Sequence, residues 1–356
     1  MYHSLPDSGS TKNTMPHRTF FWFILPSALA MLLFIAVPIA SVVIQSVHIE
    51  HPKVMEEVET CGPFNCATEM RVDAEATAKL KEAEPLGKFI GFETYLNRNH
   101  LAIDLVKLQW QQRDSFFSFV RGLYNLPFYK ALSFTLVYTF VVTPLVIVLG
   151  FMIALAVNSI PKILRGSAIF VSLLPMIVTP LIGSLVLFWM VDANGVLGSA
   201  IQRIFDDPDL SLKASPSLTW IMLLVYGVWH SAPFAFVVFY AGLQTVPQDT
   251  LESAMIDGAS RWEQIRYVVL PHLAPLVTFV GLIQLMDNFR VFEPIVGFNA
   301  SASATSLSWI IFNDLFGQQQ LFGSAAATSL LTILGVCILL MPVLIRTWRQ
   351  YSRVVT

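Results

Sequence analysis

The chain has 356 residues, of which 55% are hydrophobic and only 13% charged, whereas a soluble globular domain carries about a quarter charged residues. Such a composition excludes an ordinary soluble domain and makes the lipid bilayer the chain's solvent. A formal net charge of −2, with no basic stripe and no aromatic RNA-binding pattern, argues against nucleic acid as a partner, and Cys61, Cys66 and Cys337 are too few for a disulfide scaffold.

From the N-terminus, residues 1–19 form a polar tail rich in Ser, Asn and Thr, a composition that predicts disorder. Residues 20–47 are apolar from Phe20 to Val47. This run is longer than a signal-peptide core and ends without a small-residue cleavage site, which predicts an uncleaved first transmembrane helix. Further apolar runs from Phe128 to Val157, Leu164 to Val191, Leu218 to Leu243, Leu273 to Phe298 and Ala325 to Ile345 bring the expected spans to six. Pro175 and Pro180 break the third run and Pro233 sits in the fourth; such prolines either kink a span or free carbonyls that line a cavity.

Orientation is set by the flanking cations. Lys12, Arg18, Lys162, Arg165, Arg261, Arg266, Arg346, Arg349 and Arg353 fall on one side of the six spans, which is read as the inside. The segment 48–127, at about eighty residues, is too long to vote under that rule. Both termini, including the tail 346–356, are therefore expected inside and 48–127 outside.

The long segment combines helix-prone acidic sequence, Glu69 to Glu84, with CGPFNC at Cys61 to Cys66. In an oxidising compartment Cys61 and Cys66 are a candidate disulfide; two free thiols fit equally well. His48 and His51 with those cysteines match no familiar zinc spacing and read as surface histidines.

Between the fourth and fifth spans lies a polar island, residues 244–271, QTVPQDTLESAMIDGASRWEQIRYVVLP. It reads as two short helices around a corner. Asp249 is positioned to cap the first with Glu252 three residues on, and Ser260 the second with Glu263. Gly258 falls where a left-handed turn is needed. Glu252-Ser253-Ala254, Asp257-Gly258-Ala259 and the closing Leu270-Pro271 resemble the EAA loop of permease subunits of binding-protein-dependent ABC importers, and the Ser-Arg-Trp after Ala259 is most similar to the carbohydrate-uptake branch. Ser253 stands where that family usually has alanine. GFETYL at Gly91 to Leu96, FYKALSFTLVYT at Phe128 to Thr139, LLP at Leu173 to Pro175, ANGVLG from Ala193, VWHSAPFAFVVFYAGLQTVP from Val228 and NFRVFEPI from Asn288 resemble further landmarks of the family. The stretch from Glu50 to Lys88 looks like an addition, and NASASAT at Asn299 to Thr305 departs from the Thr-Gly-Gly-Pro turn frequent in sugar permeases.

The resemblance implies an all-α membrane protein of six transmembrane helices with the type I ABC importer permease fold, its core over 128–345, in a bacterial inner membrane. It implies as partners a second, paralogous permease, two cytoplasmic ATPase subunits, a periplasmic solute-binding protein and a carbohydrate substrate. No cofactor is expected in this chain, ATP and Mg being held by the ATPase: there is no phosphate-cradling G-x-x-x-x-G-K-[ST] here, and no H-E-x-x-H or G-x-S-x-G of an enzyme site. Glu252 carries over as an ionic contact to the ATPase, Gly258 as a close-approach turn, and Ser253, Ala254, Asp257 and Ala259 as the shape of the contact. A well-capped hairpin with no partner is the plainer reading of the same residues.

A second cluster lies in the fifth run, where Asp287, Arg290 and Glu293 recur every third residue beside Asn288. On a continuous helix they share one face. Ionisable groups in a span face a pathway or one another, so this face is either a substrate path or an internal salt bridge. Trp229, His230 and Phe234 in the fourth run are candidates for an aromatic sugar platform, or for packing. Two other classes remain: a type I importer for a non-sugar solute, and an ion-coupled secondary transporter relaying protons through Asp287, Glu293 or His230, against which the lack of visible internal repeats counts.

Overall fold

Among the described residues five helices are long and apolar enough to cross a membrane, and a bent pair counted as one span brings the crossings to six. The computed structural model describes residues 17–51, 54–61, 66–113, 115–207, 211–213, 215–317 and 320–355. Most of the expected polar tail lies outside them.

The first span runs over Phe20–Gln45, and none of its most apolar window is buried within the chain. The second, Pro127–Ser159, has 33 residues, about 50 Å of helix at 1.5 Å per residue. Pro127 opens it, where a missing N–H costs nothing, and extended Ile160 before Pro161 closes it. The third crossing is split into Lys162–Ile177 and Pro180–Met190, bent by 93°. Pro180 is the cause: it has no N–H to donate, and it pushes Thr179 into the extended region at ψ 143°. The fourth span, Pro216–Leu243, is capped by Ser215, whose Oγ accepts the Leu218 N–H at 3.2 Å.

The fifth span departs from expectation at both ends. Arg261–Phe289 is one helical stretch of 29 residues, so the second half of the polar island is the beginning of the span itself. A π-turn at Ile265–Val269, in which the Leu270 N–H reaches back to the Ile265 carbonyl, lies directly before Pro271. This wider turn absorbs a proline that would otherwise break the ladder. The span then stops at Phe289, short of the expected Phe298; Phe292 (φ −141°, ψ −59°) turns the chain into a separate short helix, Glu293–Gly297. Next comes Leu307–Phe316, an apolar helix under a Ser306 cap that the hydropathy pattern did not separate. The last helix, Phe322–Val355, begins before Ala325 and continues through the residues read as a separate tail.

The second and fourth spans form the centre of the bundle. Phe134, Tyr138, Val142 and Val146 of one pack with Leu223, Tyr226, Phe236 and Phe239 of the other, and Val280 of the fifth joins them. A Cβ at Gly150 would stand 2.5 Å from the Ala235 Cβ and 2.8 Å from the Phe236 nitrogen, so small residues set how near these helices come.

The long segment between the first two spans adds two small ribbons to this all-helical body. Met55–Cys61 pairs antiparallel with Cys66–Val72, so the expected helix over Glu69 to Glu84 is confined to Ala74–Ala83, capped by Asp73. The register sets Cys61 opposite Cys66; their side chains, and with them the candidate disulfide, lie outside the described residues. His48 Nδ1 lies 2.7 Å from the Ile44 carbonyl oxygen, and His51 Nε2 3.4 Å from Glu84. His100 ties the segment to the last helix: its ring is fully buried, with Nε2 donating to the Ser324 carbonyl at 3.1 Å and Nδ1 2.8 Å from Asn97 Oδ1.

Packing and burial each make an outcome testable. Gly150→Leu is expected to cost roughly 1–3 kcal/mol through overpacking and to lower the unfolding temperature of purified protein, whereas Gly166→Ala, with nothing within 4 Å of its new methyl, is expected to leave it unchanged or raised. Equal effects would contradict the crossing described. Burial pushes the His100 pKa below the ordinary histidine value. The folded ring therefore resists a proton that the unfolded chain accepts. Its contribution to stability is complete above the unfolded value of about 6.5 and is lost as pH falls from there through the lowered folded pKa. His100→Asn should flatten the fall in unfolding temperature on acidification; an unaltered pH profile would rule out this origin.

Candidate functional site

Two regions bring the sequence-predicted residues together. The first is the polar island. Its leading helix is Gln248–Ile256, and the residue before it is Pro247, which supplies no side-chain cap. Asp249 is therefore inside the first turn, where its charge faces the helix N-terminus, and the expected Asp249–Glu252 box does not form. The other end is built as expected for a glycine stop. The Gly258 N–H reaches Met255 O at 3.1 Å and the Ala259 N–H reaches Ala254 O at 2.9 Å, the paired bonds of a Schellman turn, with Gly258 at φ +82°. Ser260 then opens the next helix with a reciprocal box: its Oγ accepts the Glu263 N–H at 3.4 Å while Glu263 Oε2 accepts the Ser260 N–H at 2.7 Å.

One bond ties the start of the island to the second span, and two more brace that span's end and the corner itself. Gln244 Nε2 donates to Asn158 Oδ1 at 3.1 Å at the end of the second span, Arg165 NH2 donates to the Asn158 carbonyl at 2.8 Å, and Gln264 Nε2 donates to Ala259 O at 3.0 Å. Ser253 turns its hydroxyl back onto the Asp249 carbonyl at 2.8 Å, which is how a serine occupies a small-residue position here. Ala254 and Ala259 are half-buried, while Glu252, Ser253, Asp257 and Gly258 are exposed. Apolar side chains share that exposure, Ile256 at 86% and Trp262 at 68%. A Cβ on Gly258 would meet nothing within 4 Å, so within this chain the glycine serves its backbone angle and leaves open space before it.

The second region is a cavity of about 500 Å³ where the break in the third span meets the fourth and fifth. The break leaves the Val178 carbonyl, just past the first half, without a helical partner, and the fourth span reaches both sides of it: His230 Nε2 lies 3.1 Å from Val178 O, and Tyr226 OH donates to Pro180 O, at the start of the second half, at 2.7 Å. The rings of Tyr226 and His230, one turn apart, stack at 5.7 Å. Phe234 and Tyr138 add apolar wall.

On the opposite wall, Asn288 is buried and donates to Thr143 Oγ1 at 3.0 Å. Asp287 and Arg290 form an ion pair at 2.8 Å, both side chains more than half exposed. These residues do not share one helical face with Glu293, contrary to the reading from spacing, because the helix ends at Phe289 and Glu293 begins the next short helix. The turn between them brings Glu293 back to the same cavity, so the three line it together by tertiary placement. Trp229 does not line it; its indole lies beside Tyr226, at 6.0 Å between ring centres. Residues that spacing missed are Tyr138, Tyr226 and Gln284, for which the only sequence signal is a polar-tipped side chain within an apolar run.

Residues 116–350 match the family described as binding-protein-dependent transport system inner membrane component. The trehalose/maltose transport system permease protein MalF of Thermococcus litoralis is 29% identical over 222 residues, covering 62% of this chain and 74% of that one. The multiple sugar-binding transport system permease protein MsmF of Streptococcus mutans is 30% identical over 217 residues, covering 59% and 73%. A chain of the solved bacterial ABC transporter involved in importing the acidic polysaccharide alginate superposes with a TM-score of 0.63 over 93% of this chain and 96% of that one, at 19% identity, a likeness of fold alone. With its helical bundle of up to six crossings and this match over most of its length, the chain belongs to the family of inner-membrane components of binding-protein-dependent transport systems.

Proposed function

We propose that this chain forms half of the pore of an importer that carries a carbohydrate across a bacterial inner membrane, beside a second permease and with a soluble binding protein delivering the substrate outside. ATP, with Mg, is held and hydrolysed by two ATPase subunits on the cytoplasmic side, and the island 244–271 is where they dock. Both termini then lie in the cytoplasm. Curated relatives named for trehalose, maltose and multiple sugars support the carbohydrate class.

The observation that carries the reading is the continuity of one helix. Arg261–Phe289 begins at the capped corner and ends at the cavity, about 43 Å away at 1.5 Å per residue. A helix of that length with a capped, bundle-anchored start transmits a push as a rigid body. In this account closure of the ATP-bound ATPases draws the docked corners together. The fifth helix then moves Asp287, Asn288 and Arg290 relative to the fourth, turning the cavity outward; hydrolysis resets it. Glu252 supplies the ionic contact, Ile256 and Trp262 the apolar one, and the open space before Gly258 admits the partner's surface.

The test is a pull-down from detergent-solubilised membranes followed by uptake assays. Wild type is expected to retain an ATPase and a second permease. Glu252→Ala combined with Gly258→Trp should release the ATPase, keep the permease, and lower uptake by about tenfold or more. Gly258→Asn, which tolerates the left-handed turn, should fall between them. An ATPase retained by the double variant with normal uptake would refute the docking role, and a folded wild type that holds no ATPase would favour the secondary transporter.

A further inference from the structure

The charge balance of the cavity is uneven. Asp287 and Arg290 neutralise each other across 2.8 Å. The Tyr226 hydroxyl and His230 Nε2 are committed to the carbonyls of the broken span. Glu293 is different. Its backbone carbonyl lies 3.5 Å from Ser184 Oγ, but its side chain is exposed, lines the cavity and takes part in none of the ion pairs among the described residues. The lining thus carries two carboxylates against one guanidinium, and the surplus negative charge belongs to Glu293.

Such a carboxylate favours some saccharides over others. Its two oxygens accept hydrogen bonds from adjacent sugar hydroxyls, charge-assisted and therefore stronger than neutral ones. Buried Asn288 and Gln284 on the same wall offer neutral polar groups, while Tyr138 and Phe234 give apolar surface for ring C–H groups. A ligand bearing its own carboxylate meets like charge between protein walls, where repulsion is screened less than in bulk water. Fold offers no guide here, since the alginate importer that shares it handles an acidic polysaccharide.

We propose that the Glu293 carboxylate makes this cavity selective for neutral, polyhydroxylated saccharides and excludes those carrying carboxylate groups; the proposal rests on the reading of the cavity as the substrate path. Glu293 is a specificity-determining residue on this account, through the sign of its charge. Arg290 does not cancel it, because Asp287 already occupies that guanidinium.

The experiment is saturation-transfer NMR on the assembled importer in nanodiscs, without its binding protein, so that only the membrane site is read. The probes are trehalose and maltotriose, each beside a counterpart oxidised to the uronate at one C6. Wild type is expected to bind the neutral sugars about tenfold better than the uronates. Glu293→Gln, nearly isosteric, should bring the ratio to within about twofold, and Glu293→Asp, which keeps the charge, should preserve it. Equal binding of neutral and uronate probes by wild type overturns the proposal, as does a ratio that Glu293→Gln leaves untouched. Loss of discrimination in Glu293→Asp also overturns it, by assigning the effect to shape. An intact assembly that binds none of the probes overturns the carbohydrate reading and this inference with it, an outcome distinct from sugar binding without charge discrimination.

Discussion

In hydrocarbon every backbone polar group needs a partner within the protein, and an unsatisfied one costs several kcal/mol. The break in the third span, at Val178 and Thr179, creates that demand inside an otherwise apolar bundle. His230, one turn from Tyr226 on the fourth span, answers it at Val178 O, while Tyr226 adds a bond to Pro180 O on the far side of the break. The rest of the centre depends on those bonds. Tyr226 is held where its ring stacks on His230 and meets Phe298, and Gly227 leaves room for the Tyr138 hydroxyl to come against the fourth helix. A polar seam results, and the cavity opens along it.

The same break positions the chain beyond the fifth span. The half-span Pro180–Met190 packs against the short helix Glu293–Gly297: a Cβ at Gly297 would stand 3.0 Å from the Leu181 carbonyl oxygen, so only glycine lets the two approach. Ser184 Oγ donates to Leu181 O at 2.9 Å and lies 3.5 Å from Glu293 O. Glu293 is thereby held on the broken span while Asp287 and Arg290 ride on the long helix. Under the docking role proposed for the polar island, movement of that helix would change the separation of charges within one cavity. Rigidity at the island comes from different bonds, the Schellman pair around Gly258 and the Ser260–Glu263 box, both local and both independent of the membrane.

That difference between local and distant bonds governs how much the chain's sequence disclosed. Six crossings were legible because twenty or so apolar residues in a row have few other stable fates. Gly258 and the Ser260 box were legible because a left-handed turn and an N-cap are satisfied within a few residues of themselves. Asp249 shows the limit even there: Pro247 ended the preceding chain direction and the helix began before the acidic side chain, so a spacing that matched a capping box was not one.

The membrane as solvent, up to six crossings, and the turn and cap at the polar island are therefore readable from the chain alone, all set by composition or by contacts a few residues apart. Where the fifth helix stops, how Glu293 returns to the cavity after that stop, and why Tyr138 and Tyr226 line it while Trp229 does not came instead from packing across the bundle. The deciding partners are carbonyls and small residues far along the chain, Val178, Pro180 and Ser184 among them. Periodicity places a residue on the face of its own helix, but the partner across the bundle determines whether that face meets a wall, a neighbour or an open site.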